Sequence, residues 1–517
     1  MASLLPEAAR KIFTPETLLT AARQSLRIHI VPVPLRRSIK KFLRAQDLTY
    51  MKRKVLRLAQ SFNLIKMKNL QLVENTAKDL IEDPLKTVYQ SKRWKIKSSY
   101  GDIGLKYEEN ETLAYIAARM PSVYCSCYRV FSEVHRRLPN LNPTKVLDFG
   151  AGTGSVLWAM REVWPRSIER MNLVEPSKSM QRTGLSLLQG QKDLPFIQGY
   201  DSLLELSKKN KKKAREHDLV VASYVLGEIP SIQDRITTVR QLWNLTTDVL
   251  VLLEPGTPHG SNIISQARAH ILWMEKRKCR KAKAAASKKG SKDLIPYQSC
   301  GAYVVAPCSH DGTCPLKGGP KYCHFVQRLQ RTSTQRIFKR SKRGKPLMGY
   351  EDEKFSFVVL RRGQRPQEAW PLDGMKLETL AEQKARRRPE DYIVDYEDVI
   401  KPVEEKIRYL KARNVWESDI SDADAIAENG GVKGEVAVKD RGEEEDEEER
   451  GVGLGTGWGR IIYSPIRRGR LVELDVCRSV DREGCHGCFE RVAVTRTKNP
   501  TLHRQAKKSQ WGDLWPY

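Results

Sequence analysis

Val146-Leu147-Asp148-Phe149-Gly150-Ala151-Gly152-Thr153-Gly154 is the stretch that decides how this chain folds. An apolar strand runs into a turn with glycine at every second position, and Ser155–Val163 beyond it can form a helix. Glycine admits backbone conformations that a side chain forbids and lets the chain pass close to a ligand. The helix that follows starts with free N–H groups. Outward from this unit, Met171–Val174 reads as the next strand and ends in Glu175. Asp201 follows a short strand near Phe196–Ile197, a strand over 218–222 ends in the polar Ser223, and Val249–Leu253 runs into Glu254-Pro255-Gly256. Strand-like and helix-like segments alternate from Gly150 to Gly260, the pattern of a parallel α/β sheet.

Dinucleotide folds use a related turn, so the glycines alone do not name the ligand. With Asp148 just before the turn, the pattern D-x-G-x-G-x-G resembles the signature of class I S-adenosylmethionine (SAM) methyltransferases. The resemblance implies an α/β fold with a class I SAM-dependent, Rossmann-like core. It implies a cofactor site of Asp148, Gly150, Gly152, Gly154, Glu175, Asp201 and Ser223. In it Asp148 would hold the methionine amino group, directly or through water. Glu175 suits the two ribose hydroxyls, because a carboxylate is a double acceptor. Asp201 has two readings, an adenine contact or a helix-capping acid. No catalytic residue is recognisable. Amino-group methyltransferases carry Asn/Asp-Pro-Pro-aromatic after strand four, where this chain has Ser223-Tyr224-Val225-Leu226. Catalytic-cysteine RNA methyltransferases place a cysteine near strands four and five, and none lies there.

The chain of 517 residues carries a formal charge of +29, with 30% charged and 40% apolar residues. That suits a multidomain globular protein with polar insertions. No apolar run is long enough to span a bilayer. The basic surplus favours a polyanionic partner, nucleic acid, through counterion release, ahead of a solvated basic surface with no specific partner. Residues 1–140 read as a mainly helical basic region, with apolar residues at helical spacing over Lys52–Met67. From Thr17 to Gln46 there is no acid and there are seven bases, so 1–46 reads either as an organelle transit segment or as a retained basic helix. Residues 141–410 form the Rossmann-like domain, interrupted by basic insertions at Lys208–Lys213, Glu275–Lys292 and Lys339–Lys345. Low complexity makes the second a candidate mobile arm. Residues 411–451 read as an acidic disordered linker, with seven consecutive acids over Glu443–Glu449. In the C-terminal unit, 452–517, Arg460–Tyr463, Leu471–Val476 and Phe489–Val494 read as three short antiparallel strands.

Ten cysteines in a chain of this length do not suggest a secreted disulfide scaffold. Cys308, Cys314 and Cys323 share one loop, 306–324, between Gly301–Ala306 and Lys354–Leu360, which read as strands six and seven. Three thiols on one loop can converge on a metal, and a closed structural site wants a fourth ligand. Cys477, Cys485, Cys488, Cys300 and His310 are candidates, and spacing does not choose among them. Zinc and a [4Fe–4S] cluster both suit four thiolates. Cys125 and Cys127 read as core residues, and Cys279 has no evident role.

Taken together, Val146–Gly154, Leu219–Pro230, Leu252–His259, Gly301–Pro315 with Cys323, Lys354–Arg361 and Arg470–Cys477 resemble the methyltransferase-like assembly factors of the mitochondrial small ribosomal subunit. The resemblance implies a mitochondrial matrix protein that binds small-subunit rRNA and the immature small subunit, with no oligomer expected. It implies a [4Fe–4S] cluster on Cys308, Cys314, Cys323 and Cys477, ahead of zinc. Cys485 and Cys488 depart from the family pattern. The alternative is an active SAM-dependent rRNA methyltransferase.

Overall fold

The computed structural model describes residues 15–25, 27–63, 106–209, 216–229, 231–289, 301–317, 319–339, 347–366, 458–480, 484–498 and 500–515. The acidic linker, Cys300, and the basic runs at 210–213, 290–292 and 340–345 lie outside the described residues.

The central sheet is built from β1 (Lys145–Phe149), β2 (Arg170–Val174), β3 (Phe196–Tyr200), β4 (His217–Ser223), β5 (Thr246–Pro255), β6 (Ala302–Ala306), β7 (Phe325–Gln330) and β8 (Tyr350–Arg362). Its order is β3-β2-β1-β4-β5-β8-β6, with β7 also on β8. β1 to β5 are parallel, and β8 runs antiparallel to β5, β6 and β7. This is the class I methyltransferase arrangement, a doubly wound parallel sheet closed by one reversed strand. Strands buried on both faces read as continuous apolar runs, as β4 and β5 do. Their side chains alternate between two cores. Leu219, Val221, Val249 and Val251 face helices Met120–Arg137 and Ser155–Val163. Val220, Ala222, Leu250 and Leu252 face helices Ile232–Leu245 and Pro258–Lys289.

Three expectations change. The cysteine loop does not lead directly into the long strand, because β7 intervenes. Phe325-Val326-Gln327-Arg328-Leu329-Gln330 mixes polar residues into a short run and buries Gln327, so it reads weakly as a strand. The arm from Glu275 is no separate mobile tether as far as Lys289: it continues the helix that starts at Pro258, as its alanines and lysines favour. The N-terminal segment is part of the fold from Gln24 onward. Val31, Leu35, Ile39 and Leu43 are core residues, and His29 forms a backbone bridge to β7. Removing all of 1–46 would open that core.

The C-terminal unit has five strands instead of three: β9 (Gly459–Ile461), β10 (Ile466–Arg468), β11 (Leu471–Ser479), β12 (Gly487–Thr495) and β13 (Leu514–Trp515). β11 is central, antiparallel to β9, β10 and β12. Val472, Leu474 and Val476 face the unit's own small core, while Cys477 turns into the main core.

One buried carboxylate joins the two units. Glu133, fully buried on helix Met120–Arg137, pairs with Arg129 and Arg137 on its own helix, each at 3.1 Å, and with Arg460 of β9. Arg460 also donates to the carbonyls of Pro307 (3.2 Å) and Gly512 (2.6 Å). The neighbouring guanidinium charges hold the Glu133 carboxyl far below the ordinary carboxylate range, outweighing its burial. Removing one partner of such a set strands the others without a counter-charge. Glu133→Ala is therefore expected to cost about 3–5 kcal/mol of stability in denaturant unfolding. A midpoint unchanged from wild type would show that the pair does not join the units.

Candidate cofactor cavity and cysteine centre

At the end of β1 the backbone turns sharply, and Gly150 and Ala151 both donate to the carbonyl of Val174 at the end of β2 (2.8 and 3.2 Å). Gly150 has a φ of 74°, and a Cβ there would lie 2.6 Å from Val225 Cγ2, so only glycine fits. Gly152, at φ 53°, faces open space. Its N–H donates to Glu175 Oε2 at 2.8 Å, and Ser177 N–H donates to Oε1 at 2.9 Å. Burial pushes the Glu175 carboxyl up to about 7, against the pull of these two bonds. Asp148 is completely buried behind the turn, and among the described residues neither carboxylate oxygen has a hydrogen-bond partner. Burial, reinforced by the charge of Glu175, pushes its carboxyl far above the ordinary range.

In front of the turn lies a cavity of about 600 Å³, within the size range of small-molecule sites. It sits where the strand order reverses between β1 and β4, the place at which open α/β sheets bind ligands. Gly150, Gly152, Glu175 and Ser223 are in its wall. Asp148 stands behind them, and Gly154 caps helix Ser155–Val163 with a left-handed φ of 84°. Asp201 is not in the wall. It is half exposed, ion-paired with Lys178 and bonded to Gln181 at 3.1 Å.

Much of the remaining wall comes from residues that sequence reasoning did not select. Glu254, buried at the end of β5, accepts from Leu226 N–H (2.8 Å) and Gly227 N–H (3.3 Å), and burial pushes its carboxyl up to about 7. It ends its strand as Glu175 ends β2, and that parallel was a readable signal. Tyr224, the residue after β4, has a φ of 58°. Its hydroxyl lies 2.8 Å from Glu353 Oε1 and 3.0 Å from Ser126 Oγ. Arg119 holds Glu353 through two bonds of 2.6 and 2.8 Å and covers the Tyr224 ring. Tyr107, Tyr115 and the helix over 51–63 close the cavity from the N-terminal side. These are contacts between distant segments, and no local pattern announces them.

Cys308, Cys314 and Cys323 lie on the loop between β6 and β7, and β11 delivers Cys477 to the same place. Burial pushes the thiols of Cys314, Cys323 and Cys477 up, and the charge of Cys308 pushes each further. Cys477 lies within electrostatic reach of all three loop cysteines. Arg268 pulls the other way on Cys314, Cys323 and Cys477. Even so, among the described residues no three His, Cys, Asp or Glu side chains converge closely enough to hold a metal ion. The buried His310 ring lies with Nε2 3.6 Å from Cys477 Sγ. Of the other candidates, Cys485 is exposed and Cys488 stands opposite Arg478 on β12. Their hairpin closes over the loop: Asp311 N–H donates to Gly484 O at 2.7 Å, and a Cβ on Gly487 would strike the His310 ring.

The family described as mitochondrial small ribosomal subunit Rsm22 matches residues 109–516, which hold both the glycine turn and all four thiols. The chain belongs to the Rsm22 family. It is similar to the human mitochondrial ribosome assembly protein METTL17, with 33% identity covering 53% of this chain and 54% of that protein. It is also similar to the Rsm22-cox11 tandem protein 2 of Schizosaccharomyces pombe, a mitochondrial protein, at 25% identity covering 78% of this chain and 43% of the other. The chain spans about half the length of the curated relatives it matches, or less. Among solved structures, the magnesium protoporphyrin IX methyltransferase of Synechocystis, solved with bound SAM, aligns at a TM-score of 0.23 and 15% identity over 38% of this chain and 83% of that one. A likeness at this score adds nothing to what the strand order already shows.

In this Rsm22-family chain the raised Glu175 carboxyl ties stability to pH. The folded form keeps its proton up to about 7, whereas an ordinary glutamate loses it near 4.5. The cost of burying the charge is therefore absent below pH 4.5 and complete above pH 7. Glu175→Gln carries no such cost. The variant is expected to gain on wild type by on the order of 3 kcal/mol as pH rises through that window in denaturant unfolding. A difference that stays flat with pH would contradict the buried carboxyl.

Proposed function

We propose that this chain is an assembly factor of the mitochondrial small ribosomal subunit, working in the matrix. It binds small-subunit rRNA through a SAM-binding, methyltransferase-like domain stabilised by a [4Fe–4S] cluster. Membership of the Rsm22 family across residues 109–516 is the observation that carries this reading.

The cavity fits SAM on chemical grounds. SAM presents an ammonium and a sulfonium, and Asp148 offers a buried carboxyl with both oxygens unpartnered. Glu175 keeps acceptor capacity on the cavity side for ribose hydroxyls. Bound SAM supplies an electrophilic methyl group. Around it this chain's own residues bind, orient and exclude water. Tyr224 is held by Glu353 and Ser126 where amino-group methyltransferases position an amine, which favours binding over transfer. An active rRNA methyltransferase remains the rival reading.

The cysteine set suits a thiolate-ligated group in its donor chemistry: three thiols on one loop with a fourth on β11, within electrostatic reach of one another. Cys308, Cys314, Cys323 and Cys477 would hold it, and it would tie the C-terminal sheet to the β6–β7 loop. Structural metal sites contribute roughly 10 kcal/mol or more to folding, enough to make the protein depend on cluster supply.

Two measurements test this. Gly152→Arg with Glu175→Ala is expected to abolish SAM binding in calorimetry. If cells carrying it then lost an rRNA methyl mark, the assembly reading would give way to the enzyme. Cys308→Ser is expected to remove the iron and the visible absorption of anaerobically purified protein and to lower small-subunit assembly. Wild-type protein that carries zinc and no iron would overturn the cluster assignment.

A further inference from the structure

The helix over residues 51–63 has two faces with different surroundings. Its inner face carries Val55 and Leu58, which pack with Ala114 and Ala118 against Phe62, Tyr107 and Tyr115. Val55, Leu58 and Phe62 are also in the wall of the cofactor cavity. Its outer face exposes Arg53 and Arg57. The preceding helix, Val33–Arg44, repeats the design: Leu35, Ile39 and Leu43 are buried, and Arg36, Arg37, Lys40, Lys41 and Arg44 are exposed. From Val33 to Asn63 there are nine bases and one acid, Asp47. Between the helices Tyr50 is 68% exposed, with the Arg53 guanidinium 5.1 Å from its ring centre.

We infer that these two helices form an RNA-gripping face, and that the second couples the grip to SAM occupancy, because one side of it faces the cofactor and the other faces the polyanion. The coupling rests on the SAM-binding reading above. Charge complementarity favours a polyanion, and an exposed aromatic beside a guanidinium suits base stacking. A membrane surface is the poorer fit. A basic amphipathic helix binds a bilayer by inserting its apolar stripe, and here Leu35, Ile39, Leu43, Val55 and Leu58 are already spent on the protein core. The coupling is positive. Cofactor filling the cavity adds contacts to Val55, Leu58 and Phe62 on the inner face, and so favours the helix position that presents Arg53 and Arg57 to RNA. By linkage RNA then tightens SAM by the same factor.

The test uses the full chain, a fluorescein-labelled RNA hairpin and SAM. Saturating SAM is expected to tighten hairpin binding about fivefold or more, and saturating hairpin to tighten SAM equally. Charge reversal of Arg36, Arg37, Lys40 and Lys41 to Glu is expected to weaken the hairpin at least tenfold and flatten its salt dependence, leaving the SAM Kd unchanged. Arg53→Glu with Arg57→Glu is expected to weaken the hairpin and shrink the coupling. Hairpin affinity that is equal with and without bound SAM overturns the coupling. Unchanged hairpin binding in the charge-reversed chain overturns the RNA face, as does tighter binding to phosphatidylglycerol vesicles than to RNA. A chain that takes no SAM sinks the cofactor reading and the coupling with it, while the charge-reversal arm still decides the RNA face alone.

Discussion

A single buried carboxylate, Glu133, sets the relation between the two halves of this protein. Three arginines surround it, and the one from β9, Arg460, is itself 1% exposed. Taking such charges out of water is expensive, and only dense pairing makes it tolerable. Arg460 meets that demand by spreading its donors over Glu133, Pro307 O and Gly512 O. The position of Arg460 has two consequences elsewhere. Pro307 is the residue before Cys308, so the pair fixes where the cysteine loop begins. Arg460 stands opposite Cys477 in the β9–β11 register, so the same contact aligns the fourth thiol with the loop. The C-terminal sheet is therefore a part of the cysteine centre as much as a separate unit.

The cavity shows the opposite economy. Asp148 and Glu175 are buried beside it without a cation, and burial raises both carboxyls. Unpaired buried carboxyls are costly, and perturbed ones cluster at functional sites. Glu133 is neutralised by its arginines, whereas Asp148 has no hydrogen-bond partner among the described residues. The glycine turn makes this possible. Gly150 is pressed against Val225, while Gly152 opens on empty space and presents its N–H to Glu175. One turn thus anchors the backbone and holds the acid in the cavity wall.

What could be read from the sequence was local. The glycine turn, the acid ending β2 and the apolar runs of β4 and β5 each follow a short-range rule, and each stands where that rule puts it. Asp201 shows the limit: an acid after a strand is a pattern, but Lys178 and Gln181 draw it to the surface. β7 was illegible because Gln327 is buried inside it, against its polarity. The helix continuing through the basic arm was hidden by low complexity, which suits helix and coil alike. The cavity roof was illegible for another reason. Tyr107, Tyr115 and residues 51–63 reach it only after the chain has folded back, and periodicity does not encode such contacts.

The cavity and the cysteine centre share a corner of the sheet. β5 ends with Glu254 and Pro255 in the cavity wall, and the next residue, Gly256, donates to Lys354 O of β8 at 2.8 Å. A Cβ on Gly256 would lie 2.6 Å from Phe355 N, so β5 and β8 meet there backbone to backbone. Two residues along β8 from Lys354, Ser356 Oγ donates to Cys323 O at 2.8 Å. The wall that carries Glu254 is thus hydrogen-bonded, through one strand, to the residue that carries a thiol. Packed interiors transmit small displacements instead of absorbing them. That shared strand is the hydrogen-bonded link between the cavity wall and the cysteine loop.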